Sequence, residues 1–109
     1  MVDWKTDTNP DYENLSMAFL EAYALDLKRA FLADGISEKK AEAVVETAVF
    51  NLGMLFDQGR IRLSGQPFKP LLAFRDQLGQ VDTGQQARKF DLHDYALGMV
   101  SSAFDGNDW

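Results

Sequence analysis

The segment that most constrains the fold is a long helical stretch that is apolar around nearly its whole circumference. Asn9-Pro10 is a typical helix start, and Gly35 is a typical residue just beyond a helix end. Few polar side chains interrupt the apolar ones between them. Such a helix is either the centre of a bundle or a surface that binds a partner. Because a chain of 109 residues has little other protein to cover it, we expect a partner.

On a helical wheel the apolar residues of this first helix form two stripes, about 120° apart. One stripe contains Leu15, Phe19, Ala22, Tyr23, Ala30 and Ala33, and the other contains Met17, Leu20, Ala24, Leu27 and Phe31. We expect the rest of the chain to cover one face and the second face to need further cover.

A second helix is predicted from the N-cap Ser37 to Gly59, and a short loop makes it an antiparallel partner of the first. Its core stripe is expected to contain Ala41, Val44, Val45, Ala48, Leu52, Leu55 and Phe56. Phe50 and Met54 lie on the opposite side, so this helix also has a second apolar face.

The remaining chain predicts two further helices. Helical periodicity is absent from 60–69. The alternation of Arg60-Ile61-Arg62-Leu63 is compatible with a short strand, to which we give little weight because it has no visible mate. Pro70 opens a short helix that runs through Leu78, and Asp91 caps a C-terminal helix. Gly53 and Gly98 fall inside predicted helices, where glycine suggests the close approach of another helix.

The predicted fold is therefore all-α, a small helical bundle built on a long antiparallel helix pair, with a short helix and a C-terminal helix. We expect a flexible N-terminal arm (1–8), one helical domain (9–104) and a frayed acidic tail (105–109).

The net charge of −6 is unevenly distributed, because acids outnumber bases in residues 1–59 and balance them in 60–109. The stretch from Gln58 to Arg75 contains bases and no acid. These bases form a possible anion patch, consisting of Arg60, Arg62, Lys69 and Arg75. We favour the simpler interpretation that they pack near the acidic half, since the sequence pI of about 4.6 does not suit nucleic-acid binding.

Composition also bears on location and covalent chemistry. The chain has no cysteine, which excludes disulfides, thiolate metal sites and thiol nucleophiles. Residues 1–8 do not resemble a secretory signal, and no apolar run approaches the length of a membrane span. We therefore expect a cytoplasmic protein that does not act on a membrane.

We expect no catalytic residue, no metal ligand and no cofactor. His93 is the single histidine, and Asp91 and Asp94 beside it suit a helix start without any catalytic role. The glutamates lack the Glu-x-x-His pairing of bundle metal sites, and the glycines form no phosphate loop. An enzyme with a cleft around Asp26, Tyr95 and His93 is the least favoured alternative.

The expected function is non-catalytic protein binding through apolar helix faces, with homodimerisation as the first contact. The expected interface consists of Leu20, Leu27, Phe31, Phe50 and Met54. Asp26 and Arg29, one helical turn apart, are expected to form a polar specificity contact within it. The alternative is an acidic inhibitor from a phage or mobile element that blocks a nucleic-acid-binding host protein.

Overall fold

The computed structural model describes residues 4–5, 11–59, 61–82 and 91–105, and this part is mostly helical. The helices are α1 (Asp11–Ala33), α2 (Glu38–Gln58) and α3 (Ala96–Phe104), with a 3₁₀ turn (Leu92–Tyr95) leading into α3. The strands are β1 (Trp4–Lys5), β2 (Ile61–Leu63), β3 (Gln66–Phe68), β4 (Phe74–Arg75) and β5 (Val81–Asp82). The all-α prediction is thus right for most of this part and misses its strands.

Local sequence signals set the ends of the long helices. The Ser37 side chain accepts a hydrogen bond from the Lys40 backbone N–H at 3.3 Å, which confirms it as the N-cap of α2. Gly59 ends α2 in the left-handed conformation, and Gly35 follows α1 with a φ of 85°. The predicted helix start at Asn9-Pro10 lies outside the described residues.

Each of the three helices packs against the other two. Phe19, near the start of α1, makes an edge-to-face contact with Phe56, near the end of α2, with ring centroids 6.2 Å apart. On the α3 side, the Lys28 ammonium donates to the Ala103 carbonyl at 3.1 Å and lies 5.2 Å from the Phe104 ring centroid. The core between the helices contains Leu20, Val45, Val49, Leu92 and Val100, all fully buried.

The two apolar stripes of α1 are covered differently by this packing. The stripe that faces α2 and α3 includes the buried Leu20 and Ala24 and the half-buried Leu27 and Phe31. The other stripe faces solvent over most of its length, and its exposed members are Leu15, Ala22, Tyr23, Ala30 and Ala33. Helical periodicity alone does not show which stripe a neighbouring helix will choose.

The buried face of α2 is rotated from the prediction. Val44 is 48 % exposed, whereas Val49, absent from the predicted stripe, is fully buried. The 3₁₀ turn packs against this rotated face, since a Cβ on Gly53 would lie 2.7 Å from the His93 Cα. The close approach predicted at Gly53 is confirmed, with a 3₁₀ turn as the neighbour. At Gly98 the prediction is wrong, because no described residue lies within 4 Å of a Cβ built there.

The strand predicted without a mate has one. β2 and β3 pair antiparallel, with Ile61 opposite Phe68 and Leu63 opposite Gln66. The turn residue Ser64 has a φ of 53°, and Gly65 follows with 79°. Positive φ at both positions is the requirement of a type I′ turn, the tightest hairpin connection.

The predicted short helix from Pro70 to Leu78 is wrong. β4 pairs antiparallel with β5, which also pairs parallel with β1. The Asp76 carboxylate accepts hydrogen bonds from the Leu78 and Gln80 backbone N–H groups at 2.9 and 3.0 Å. This side-chain turn competes with a helix for the same N–H groups and connects the strands instead.

Two predicted flanking regions are only partly described. Within the predicted arm, residues 4–5 form β1 and the rest lies outside the described residues, as do tail residues 106–109. Among the helices that the structure describes, none has the length and apolar character needed to cross a membrane.

Candidate functional site

The uncovered face of α1, which we define by Leu15, Ala18, Ala22, Asp26, Arg29 and Ala33, runs along most of the helix. All six residues are exposed, and Leu15 retains 38 % of its surface. Alanine keeps most of this face shallow, so another helix can approach it closely. From Ala22 to Ala33 its members recur at alternating steps of four and three residues, which is the spacing of a coiled-coil seam.

Two opposite charges lie in the middle of this uncovered face. Asp26 and Arg29 are both exposed and one turn apart. Within the described part of the chain, no ion pair or hydrogen bond joins them to each other. Their charged groups therefore remain accessible at the centre of an otherwise small and apolar stripe.

The five residues predicted to form an interface do not share one surface. Leu20 is fully buried and has no surface to offer a partner. Leu27 and Phe31 are half-buried and pack against the core. Met54 is also half-buried, and Phe50 is 39 % exposed and lies edge-on to the His93 ring, with centroids 5.3 Å apart.

The predicted anion patch is spread over separate elements. Arg62 in β2 and Lys69 after β3 are exposed on the hairpin, whereas Arg75 is exposed on β4, in the other sheet. Arg60 lies outside the described residues.

A second polar site joins the end of α2 to the 3₁₀ turn. The Asp57 carboxylate accepts hydrogen bonds from the backbone N–H groups of Leu92 and His93 at 3.0 and 2.9 Å. It also accepts one from His93 Nδ1 at 2.7 Å, and its side chain is only 3 % exposed. Asp57 thus caps the turn from another helix, while the side chain of the local N-cap residue, Asp91, makes no capping hydrogen bond.

The His93 ring lies between acidic groups. The pKa of His93 is raised above 6.5, and the hydrogen bond to Asp57 is the largest cause. Partial burial lowers this pKa, whereas the negative charges of Asp94, Asp57 and Asp91 raise it further. On the other side of the ring, Nε2 lies 3.4 Å from an Asp94 carboxylate oxygen. The imidazolium form is therefore favoured in this site.

This arrangement has half of the geometry of a catalytic triad. Asp57 orients His93 as an acid orients a general base, but Nε2 faces Asp94, where a triad would have a nucleophile. Tyr95, which the enzyme alternative places beside His93, donates its hydroxyl to the Glu13 carboxylate. Asp26 lies on the uncovered face of α1, whereas His93 and Tyr95 lie in the 3₁₀ turn.

The same turn could supply metal ligands. Asp91, His93 and Asp94 each offer a ligand atom, and these atoms lie within 4.8 Å of one another. A structural zinc ion takes four protein ligands, so this trio makes an incomplete set. The raised pKa of His93 also makes protonation compete with metal binding more strongly than at an ordinary histidine.

Sequence reasoning missed Asp57, since it lies within the second helix, 36 residues from His93, and no short motif connects them. Comparisons with family models, curated proteins and solved structures find no match for this chain.

Proposed function

We propose that this small helical bundle is a non-catalytic, cytoplasmic protein-interaction protein and that it self-associates through the uncovered face of α1. The observation that most supports the proposal is the Asp26–Arg29 pair at the centre of that face. From Ala22 to Ala33 this face has both charges and otherwise small residues, so it is complementary to a second copy of itself.

An antiparallel dimer explains the order of these residues. When two α1 helices run in opposite directions about a two-fold axis midway between Asp26 and Arg29, each Asp26 lies opposite Arg29 of the partner subunit. The same axis places each Ala22 opposite Ala33 of the partner subunit. Small residues then flank two reciprocal ion pairs, and the helix axes can approach to about 8 Å. Ion pairs of this kind determine register and partner choice more than they raise affinity.

The test is the mass in solution, measured by light scattering over a dilution series. Asp26→Arg puts arginines opposite each other, and Arg29→Asp puts aspartates opposite each other, so we expect each variant alone to be monomeric. An equimolar mixture of the two variants restores two opposite-charge pairs and should form a heterodimer. The four residues that pair in this dimer (Ala22, Asp26, Arg29 and Ala33) are all exposed, so neither change should alter the helical content measured by circular dichroism.

Arg62→Asp is the matched control, because it reverses an exposed arginine on the hairpin and should leave the dimer intact. A wild-type chain that stays monomeric at all concentrations contradicts the proposal. A dimer that persists in Asp26→Arg contradicts the choice of face.

A further inference from the structure

The β2–β3 hairpin has one edge that can accept another strand. In a hairpin with a two-residue loop, the pair next to the turn is hydrogen-bonded and the next pair is not. Leu63 and Gln66 are therefore a bonded pair, and Arg62 and Pro67 are not. It follows that the backbone N–H and C=O of Arg62 point away from β3, along the outer edge of β2.

The opposite edge of the hairpin is less suited to pairing. The backbone nitrogen of Pro67 occupies the outward position on β3, and proline has no N–H to donate. Among the residues that the structure describes, β2 pairs with β3 and with no other strand. A strand that extends this sheet would thus form its hydrogen bonds on the β2 side.

The two faces of the hairpin differ in chemistry. Side chains alternate along a strand, and residues paired across strands share a face. Ile61, Leu63 and Phe68 therefore lie on one face, where they are 42, 68 and 53 % exposed. Arg62 lies on the other face, and the exposed Lys69 follows β3 on that side. Isolated apolar side chains are common on protein surfaces, but three on one face of a short hairpin form a patch.

The hairpin is also a basic segment in an acidic chain. No acid occurs between Gln58 and Arg75, although the net charge of the chain is −6. Pairing with the hairpin of a second copy of this chain would bring like charges together. The described acidic residues of the N-terminal half lie on α1 and α2, which are helical, so they do not supply an extended acidic segment. The charge and the open edge together favour an extended acidic segment of a different protein.

We propose that the free edge of β2 binds an extended acidic segment of another protein as a third strand. Alternate apolar residues of the segment extend the Ile61, Leu63 and Phe68 face, and its acidic residues lie beside Arg62 and Lys69. Main-chain hydrogen bonds supply affinity and alternate side chains supply specificity in this mode of recognition. The inference rests on the proposed interaction role, and it uses a surface separate from the uncovered face of α1.

The test is an NMR titration of the ¹⁵N-labelled full chain with a blocked peptide of alternating glutamate and valine. We expect the amide signals of Ile61, Arg62 and Leu63 to shift, and the affinity to fall as salt is raised. A peptide of alternating lysine and valine is the charge control and should not shift these signals. Arg62→Gln keeps the N–H and removes the charge, so binding should weaken about threefold.

Arg62→Pro removes the outward N–H and should abolish binding of the acidic peptide. The proline occupies a position equivalent to Pro67, so the cross-strand contact between Ile61 and Phe68 should persist and show that the hairpin remains formed. Loss of binding with the hairpin intact supports the proposal. Wild-type protein that gives no shifts in β2, or Arg62→Pro protein that binds as tightly as wild type, overturns it.

The outcome is independent of self-association through α1. Asp26→Arg should bind the acidic peptide as wild type does, since this variant changes only the uncovered face of α1. If the chain binds the peptide and is monomeric at all concentrations, the hairpin site is supported and the α1 dimer is rejected. If the chain dimerises and the hairpin signals do not shift with the peptide, the α1 dimer is supported and the hairpin site is rejected.

Discussion

At the scale of single residues, the Asp57 side chain is held by three hydrogen bonds to the 3₁₀ turn. A carboxylate near the C-terminal end of a helix lies at the negative end of the helix dipole, which opposes its charge. Two backbone N–H groups and the His93 ring compensate, so this nearly buried carboxylate has partners in the 3₁₀ turn. Asp57 consequently connects the end of α2 to the start of the segment that leads into α3.

We expect the pKa of His93 to exceed 6.5 and to fall towards that value in Asp57→Asn, because the hydrogen bond to Asp57 is the main cause of the rise. A folded-state pKa above the unfolded one means that this pair stabilises the fold fully below the unfolded pKa. The stabilisation is lost as the pH rises through the folded pKa. His93 is the only histidine, so an NMR titration of its ring protons measures the pKa directly.

Urea unfolding at several pH values tests the same linkage. The free energy of unfolding of wild type should exceed that of His93→Gln most at low pH, and the difference should shrink as the pH rises. For the pKa measurement, Asp94→Asn is the control. Asp94 is 64 % exposed and its carboxylate lies 3.4 Å from His93 Nε2, so this change should lower the pKa of His93 less than Asp57→Asn does. A His93 pKa that is the same in wild type and Asp57→Asn contradicts the assignment.

At the scale of elements, the packing of the 3₁₀ turn on α2 depends on the absence of a side chain at Gly53. Glycine weakens a helix by about 1 kcal/mol relative to alanine, so its presence there needs a compensating contact. The backbone of His93 occupies the space that a Cβ would need. Among the described residues, Gly98 in α3 has no such neighbour, so adding a methyl group should have opposite effects on stability at the two glycines.

Gly53→Ala should destabilise the protein by about 1–3 kcal/mol, because the new methyl group meets backbone atoms that cannot rotate away. Gly98→Ala should stabilise it by up to about 1 kcal/mol through helix propensity alone. Chemical denaturation of both variants measures the difference. A neutral or stabilising effect of Gly53→Ala would show that the turn does not lie against α2 as described.

The hairpin pairs residues that are at most seven positions apart in the chain, yet its second strand was not predicted. Ser64-Gly65 is a weaker type I′ signal than Asn-Gly, and the flanking strands are too short to show a clear alternation. The predicted helix at 70–78 failed for a related reason, since the Asp76 side chain satisfies backbone N–H groups that a helix would use.

At the scale of the whole molecule, the decisive feature is which side of α1 the other helices cover. α2 and α3 both pack on the side that carries Leu20, and they leave the Leu15 side exposed. The net charge of −6 makes the surface acidic overall, and the exposed bases of the hairpin contrast with it. The uncovered face of α1 and the hairpin are thus two separate exposed surfaces of this chain.

Leu20→Ala and Leu15→Ala test this orientation with the same chemical change on opposite sides of one helix. Leu20→Ala should lower the free energy of unfolding by about 2–5 kcal/mol, because it leaves a cavity in the core. Leu15→Ala should lower it by less than about 1 kcal/mol. Urea denaturation at low protein concentration provides the comparison, and equal costs would contradict the described packing.

Short-range signals determined the start of α2 at Ser37, the ends of both long helices at Gly35 and Gly59, and the helical character of most of the chain. These features depend on backbone conformation and hydrogen bonds within a few residues, which the order of residues specifies directly. The inward face of α1, the partnership of Asp57 with His93 and the pairing of β1 with β5 were decided only in three dimensions. Each of these features depends on contacts between segments far apart in the chain. Because α1 has two apolar stripes of similar character, only the energy of packing against α2 and α3 selects which stripe is buried.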